Sequence, residues 1–360
     1  MKKIILLLSV CCSSISLFAQ VDTTSTALIV DTTVVDSNYV DPVAQMRYNE
    51  GVSMFEQSRL EKAITSFSEA IKLHSKFEKA YFNRGSVYME QKNYDKAIAD
   101  FTKSAELAEE KHSSYYQRGL AKASKGDKDG AMADYNLAID GKKEAKYCYN
   151  RGVLKFQNGD YEDAIKDFNL ALATQRNYAY AYNDRASAKR KLGDNKGAIA
   201  DYKNAINANP KLTLAFNNLG SVLRNENKNK EAIQEYTTAI RIKPDYFVAY
   251  NNRGSAYYDL GKFLDAIKDF SKAIELNSKY VYAYNNRAAA RIKIEKYKEA
   301  IKDCNKAIEL DPKNGYAYLN RGIAKEMLRD NEGACKDWQK AMELGVKNAE
   351  SYLQSSFCNQ

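Results

Sequence analysis

Residues 247–280 read FVAYNNRGSAYYDLGKFLDAIKDFSKAIELNSKY, and this stretch decides the fold. Tyr250, Gly254 and Tyr257 follow the i, i+4, i+7 spacing of one helix face. Glycine on that face lets a partner helix come close, because no side chain separates the two backbones. Twelve residues after Gly254, Ala266 begins the complementary stripe of a second helix, continued by Phe270 and Ala273. The bulky ring fills the space beside the small residues of the first helix. Between the two, Leu260-Gly261-Lys262 supplies the glycine that ends the first helix, as Asn158-Gly159-Asp160 does further upstream. A single hairpin of this size is too small to be stable alone, so it needs neighbours stacked on both sides.

Working outward, the same arrangement recurs. Gly51, Gly85, Gly119, Gly152, Ala186, Gly220, Gly254, Ala288 and Gly322 follow one another at a stride of 34, with a single interval of 33. Twelve residues after each stands an alanine, from Ala63 to Ala334. Four further on is a bulky residue: Phe67, Phe101, Tyr135, Phe168, Tyr202, Tyr236, Phe270, Cys304 or Trp338. Pro210, Pro244 and Pro312 share one place near the end of three copies. This pattern resembles the tetratricopeptide repeat family across residues 44–348. The resemblance implies an all-α fold, a right-handed superhelical solenoid of about nine antiparallel helix pairs that binds peptides or protein partners. The repeats are expected at 44–77, 78–111, 112–144, 145–178, 179–212, 213–246, 247–280, 281–314 and 315–348, followed by a cap helix over 349–360. Departures are local: Arg47 and Cys148 stand where other copies have an aromatic residue.

Internal comparison of the copies exposes a covariation. Arg84, Arg118, Arg151, Arg185, Arg253, Arg287 and Arg321 directly precede the small residue. Each of these copies has an aspartate fifteen positions after it: Asp100, Asp134, Asp167, Asp201, Asp269, Asp303 and Asp337. The two copies without the arginine lack the aspartate, having Glu50 with Ser66 and Leu219 with Glu235. A structural salt bridge between the two helices of each repeat follows. Removing one partner would strand the other at a cost of a few kcal/mol.

Two positions before each small residue runs a polar row: Asn49, Asn83, Gln117, Asn150, Asp184, Asn218, Asn252, Asn286 and Asn320. A side-chain amide both donates and accepts, so the row is expected either to hold the backbone of an extended peptide, as similar rows do in this family, or to bond neighbouring repeats. Beside it, Tyr48, Phe55, Phe82, Met89, Tyr116, Tyr149 and Phe156 would make an apolar trough in the first four copies. In later copies Asn183, Arg190, Asn217, Arg224, Asn251, Asn285 and Lys293 would make a polar, cationic one. Aromatic troughs take hydrophobic anchors of a partner, and cationic ones take carboxylates.

The N-terminus reads as an export signal over residues 1–19: Lys2 and Lys3, then the apolar stretch Ile4 to Val10, then Ala19 at a small-residue cleavage site. Lipidation at Cys11 or Cys12 is the rival, although neither cysteine follows a small residue. A retained anchor is the third possibility. Residues 20–43 form a Thr/Val/Asp-rich linker without helical periodicity. Loss of Lys2 and Lys3 takes the formal charge from +9 to +7, and the four aspartates of the linker leave the remainder near +11. In an exported chain that balance suits acidic proteins or anionic envelope polymers such as glycans or lipid headgroups, and nucleic acid is not the expected partner. The mean hydropathy of −0.59 excludes an integral membrane protein.

Cys148 and Cys304 fall in core columns and read as buried thiols. Cys335 occupies the column that holds Ile or Met in every other copy, and is expected to pair with Cys358 and pin the terminal cap. His74 and His112 lack a metal-ligand spacing, and Asp127-Lys128-Asp129-Gly130 is a turn without the downstream ligands of a calcium loop. With no nucleophile motif or phosphate-cradling loop, the expectation is a non-enzymatic scaffold of the periplasm or cell envelope. It would need no cofactor and no metal, and its oligomeric state is left open.

Overall fold

The computed structural model describes residues 40–354 and Cys358. The signal segment 1–19 and nearly all of the linker 20–43 therefore lie outside the described residues. Among the described residues every regular element is helical. None of these helices is long and apolar enough to cross a membrane. The chain divides into two compact units between Leu192 and Gly193.

The N-terminal unit contains α1 (Pro42–Glu56), α2 (Leu60–Leu73), α3 (Glu78–Glu90), α4 (Tyr94–Leu107), α5 (His112–Lys125), α6 (Lys128–Gly141), α7 (Ala145–Asn158), α8 (Tyr161–Thr174) and α9 (Ala179–Lys191). Successive helices pack as hairpins, α1 with α2 through α7 with α8, and each second helix also packs on the first helix of the next pair. The close approach rests on glycine. A Cβ placed on Gly85 would stand 2.9 Å from Phe101, and one on Gly152 would stand 2.9 Å from Phe168. Phe67, Phe101 and Phe168 are fully buried, each contributing about 2–3 kcal/mol through removal from water.

The C-terminal unit repeats the scheme with α10 (Asn195–Ala208), α11 (Thr213–Asn225), α12 (Asn229–Ile242), α13 (Phe247–Asp259), α14 (Phe263–Leu276), α15 (Val281–Lys293), α16 (Tyr297–Leu310), α17 (Gly315–Met327) and α18 (Asn331–Glu343). A Cβ on Gly254 would meet Phe270 at 2.8 Å. Where the small residue is Ala288, the facing position holds the slimmer Cys304, and both are fully buried in one cluster. Volume is thus conserved across the helix pair.

The turn inside each hairpin has one backbone form. Its key residue has a left-handed conformation at Gly126, Gly159, Gly193 and Gly261, but also at Ser58, Lys92, Asn227, Glu295 and Arg329, whose φ lies between 57° and 66°. The turn is therefore not glycine's alone. Backbone bonds hold it: the Lys92 N–H donates to the Met89 carbonyl at 2.9 Å and the Asn93 N–H to that of Tyr88 at 2.8 Å. Aspartate caps then start several second helices, as where Asp330 accepts from the Gly333 N–H at 2.9 Å.

The C-terminal end differs from the cap helix expected over 349–360. A 3₁₀ turn at Lys347–Ala349 leads into a single helical turn, α19 (Glu350–Leu353), and Gln354 leaves the helix. Among the described residues of the tail only Val346 and Ala349 are buried, with Tyr352 and Leu353 half-buried. Cys358 is bonded to Cys335 of α18. Cys148 and Cys304 are free, buried thiols, and burial raises the pKa of both.

Candidate functional site

The first helices of successive pairs touch one another within each unit: α1 with α3, α3 with α5, α7 with α9, α11 with α13, α13 with α15 and α15 with α17. The second helices of successive pairs do not come as close. Each unit therefore has an inner row of first helices, and the polar row lies along their contact.

That polar row is turned into the contact, not out of it. Asn83 Nδ2 donates to the Tyr48 hydroxyl at 2.8 Å and Asn150 Nδ2 to that of Tyr116 at 2.9 Å. The Tyr149 hydroxyl donates to Asp184 at 2.7 Å. In the C-terminal unit Asn252, Asn286 and Asn320 donate to Asn217, Asn251 and Asn285 at 2.9–3.1 Å. A ladder of side-chain bonds thus ties α3 to α1, α7 to α5 and α9 to α7 in one unit, and α13 to α11, α15 to α13 and α17 to α15 in the other. Asn83, Gln117, Asn150, Asp184, Asn218, Asn286 and Asn320 are buried and Asn252 is half-buried; Asn49, with no preceding repeat, is exposed. Of the two roles open to the row, these contacts are those of inter-repeat bonding. The Oδ1 atoms of Asn83 and Asn320 are buried without a hydrogen-bond partner.

Asp184 is the one carboxylate in the row. It accepts from Tyr149 and from Asn183 Nδ2 at 2.8 Å, and burial pushes its carboxyl up to about 6.

The aromatic trough is correspondingly smaller than the sequence suggests. Tyr48, Phe82, Tyr116 and Tyr149 are buried, with Tyr48 against Phe77, Phe82 against Phe101, Tyr116 against Tyr147 and Tyr149 against Tyr178 at centroid distances of 4.5–5.6 Å. Phe156 is buried against Tyr161. Phe55 and Met89 keep open, half-buried faces. Register alone does not separate these side chains: Phe55, Met89 and Phe156 all stand four after the small residue, yet only Phe156 is buried, its ring packed against Tyr161.

The cationic half is also reduced. Arg224 Nε donates to Asp259 at 2.6 Å, and Asn217, Asn251 and Asn285 serve as ladder acceptors. Arg190 is half-buried and has no carboxylate partner among the described residues. In this unit Tyr282 and Met327, on the first helices α15 and α17, are among the open apolar groups at 37% and 43% exposed, and Leu264 on the second helix α14 is more exposed still, at 70%.

Behind the inner row, the guanidinium groups of Arg84, Arg118, Arg151, Arg253, Arg287 and Arg321 each bind both oxygens of Asp100, Asp134, Asp167, Asp269, Asp303 and Asp337 at 2.6–3.0 Å. Arg185 and Asp201 fall in different units. The third nitrogen reaches back to the preceding repeat, donating to Ser68, Thr102, Asn136, Asn169, Thr237, Ser271 or Asn305 at 2.6–3.2 Å. A tyrosine one turn earlier lies under several of these groups, as Tyr284 lies under Arg287. The carboxylates raise Arg118, Arg151 and Arg321 further above the usual arginine value, whereas burial raises the Asp100 carboxyl against the pull of Arg84.

This second link was missed in the sequence, yet it has a signal there. The acceptor column is hydroxyl or amide before every arginine, and holds Lys203 only before the copy that carries Leu219. Lys203 instead offsets the burial that raises the pKa of Glu235.

Profiles described as tetratricopeptide repeat match residues 78–111, 145–178, 247–280 and 281–314, residues 112–140 and 179–212, and residues 304–336. A further profile described as TPR repeat matches 51–92 and 220–261. Among solved structures, the chain is similar to the APC/C hetero-tetramer Cut9–Hcn1, at 13% identity over 90% of this chain and 79% of that one, with a TM-score of 0.56. A tetratricopeptide repeat protein from Parabacteroides merdae is 17% identical over 71% of this chain and 98% of its own, with a TM-score of 0.54. MamA is 28% identical over 46% of this chain and 96% of its own, with a TM-score of 0.41. Comparison with curated proteins returns no match. With profile matches running through most of its length and a repeated helix hairpin in both units, the chain belongs to the tetratricopeptide repeat family.

Proposed function

We propose that the chain is an exported, non-enzymatic scaffold of the cell envelope that holds a protein or peptide partner along the inner row of first helices. The observation that carries this reading is the set of side chains that the ladder leaves open on that row. Phe55 and Met89 offer apolar contact in one unit, and Tyr282 and Met327 do so in the other. Half-open apolar groups on a rigid wall suit the buried anchors of a partner, which carry most of the affinity in such contacts. Export is supported by the Lys2–Ala19 signal pattern and by a disulfide that needs an oxidising compartment.

The test is cross-linked capture from an envelope fraction, with mass spectrometry of what is recovered. Phe55→Ala combined with Met89→Ala should lower capture about tenfold, equivalent to ~1.4 kcal/mol, with the helical circular dichroism signal unchanged. Undiminished capture by a folded double variant would remove the groove from consideration.

A second reading, binding of an anionic envelope polymer, is favoured by one feature. Lys268, Lys302 and Lys336 occupy the same exposed position on α14, α16 and α18, and neither Lys268 nor Lys302 has a carboxylate partner among the described residues. Polymer binding of this kind should collapse between 50 and 200 mM salt, roughly where the Debye length shortens toward 8 Å, whereas apolar capture should persist.

A further inference from the structure

We infer that the Cys335–Cys358 disulfide is a redox-operated latch, holding residues 350–354 against the last helix pair when oxidised and releasing them when reduced. The end of the C-terminal unit makes this possible. At the place of Cys335, the preceding repeats have Ile233, Ile267 and Ile301, half-buried residues on the second helix of each pair. After α18 no further pair follows among the described residues, and the short tail covers the end instead.

The hold on that tail is graded. Val346 and Ala349 are buried in one cluster with Ile323 and Trp338, and the Val346 N–H donates to the Ala341 carbonyl at 3.0 Å, so these stay in place without the disulfide. Beyond them the ring of Tyr352 lies 5.1 Å from that of Trp338, but Tyr352 is only half-buried, and α19 is four residues long. One turn of helix is far below the length that holds itself together in water. Cys358 is therefore the outer fastening of the segment. Unlike the fully buried Cys148 and Cys304, both Cys335 and Cys358 are half-buried, so a small reductant reaches them.

The chemistry is thiol–disulfide exchange. A thiolate of a dithiol attacks one sulfur of the pair, the S–S bond breaks, and the other cysteine leaves as a thiolate that takes up a proton. The second thiol of the reductant then displaces the remaining cysteine and closes its own disulfide. The protein pair gains two electrons and two protons, and the dithiol loses the same.

The molecule contains its own reporter, since Trp338 is its single tryptophan and is fully buried beneath the tail. Purified oxidised protein is titrated with dithiothreitol while Trp338 emission, acrylamide quenching and amide exchange across 346–354 are followed. Reduction should red-shift the emission, raise the quenching constant at least about twofold and speed exchange in 350–354, with the overall helical signal preserved. The double variant Cys335→Ser, Cys358→Ser should give that signal without reductant and not respond to it. Identical quenching and exchange before and after reduction would overturn the latch, as would a double variant indistinguishable from the oxidised protein.

Discussion

Asp184 occupies a position where most copies have asparagine, and the difference is one of charge inside an otherwise neutral ladder. Its carboxyl is raised to about 6 when folded, against roughly 3.9 in an unfolded chain. A group raised on folding binds more protons in the folded state, so its contribution is complete at low pH and is lost as pH rises through the folded value. Stability should therefore grow on acidification from pH 7 toward 4, by up to roughly 3 kcal/mol from this residue. Asp184→Asn keeps an acceptor for the Tyr149 hydroxyl without the buried charge. It should raise the urea midpoint at pH 7.5 and flatten the dependence between pH 4 and 7. An unchanged midpoint and slope would mean that the site relaxes or hydrates on ionisation. At this scale the sequence was legible where chemistry is one-sided. Glycine facing an aromatic ring, or arginine covarying with aspartate, has one physical solution. Asparagine has two, because its amide serves a neighbour 35 residues away as readily as a peptide, and only the buried position of the contact decides between them.

Among the elements, the helix pair was legible because its determinants are local and repeated, and the turn was legible only in part. Gly126, Gly159 and Gly261 announce a left-handed turn, but the same turn at Lys92 and Glu295 has no glycine to announce it. There the backbone bonds of the hairpin itself hold the geometry, as where the Glu295 N–H donates to the Ile292 carbonyl at 3.1 Å and the Lys296 N–H to that of Arg291 at 2.9 Å. A residue with a Cβ pays a conformational cost for it. Lys92→Gly and Glu295→Gly should each stabilise the protein by about 0.5–1 kcal/mol, since relief of the strained conformation outweighs the added freedom of the unfolded chain. Thermal denaturation of the single and double variants measures this, with additivity expected for turns so far apart. A fall in melting temperature would show that the side chains of these residues, not their φ, dominate the turns. The tail after α18 was legible at its cysteines but not in its helix, which ends at Leu353 after one turn.

For the molecule as a whole, stride and covariation were enough to specify the helix pair and its internal Arg–Asp bridge, though not the arginine's second link to the preceding repeat nor which side chains remain open. That last point depends on local packing, since Phe55 and Phe156 share one position in the repeat, yet Phe156 is buried against Tyr161 and Phe55 is only half-buried. The seams themselves are interchangeable parts. If residues 247–280 were excised, Asn286 would stand opposite Asn217 and Arg287 opposite Thr237, the same donor and acceptor types that Asn252 and Arg253 meet now. Ala283 would take the berth of Ala249, both fully enclosed. A chain shortened in this way should still melt in a cooperative step with the helical signal per residue unchanged, as calorimetry and circular dichroism would record. Length in this protein is thus a quantity that whole-unit deletion or duplication can change without inventing a new joint, so the reach of its inner wall can be adjusted independently of the fastenings that hold it together.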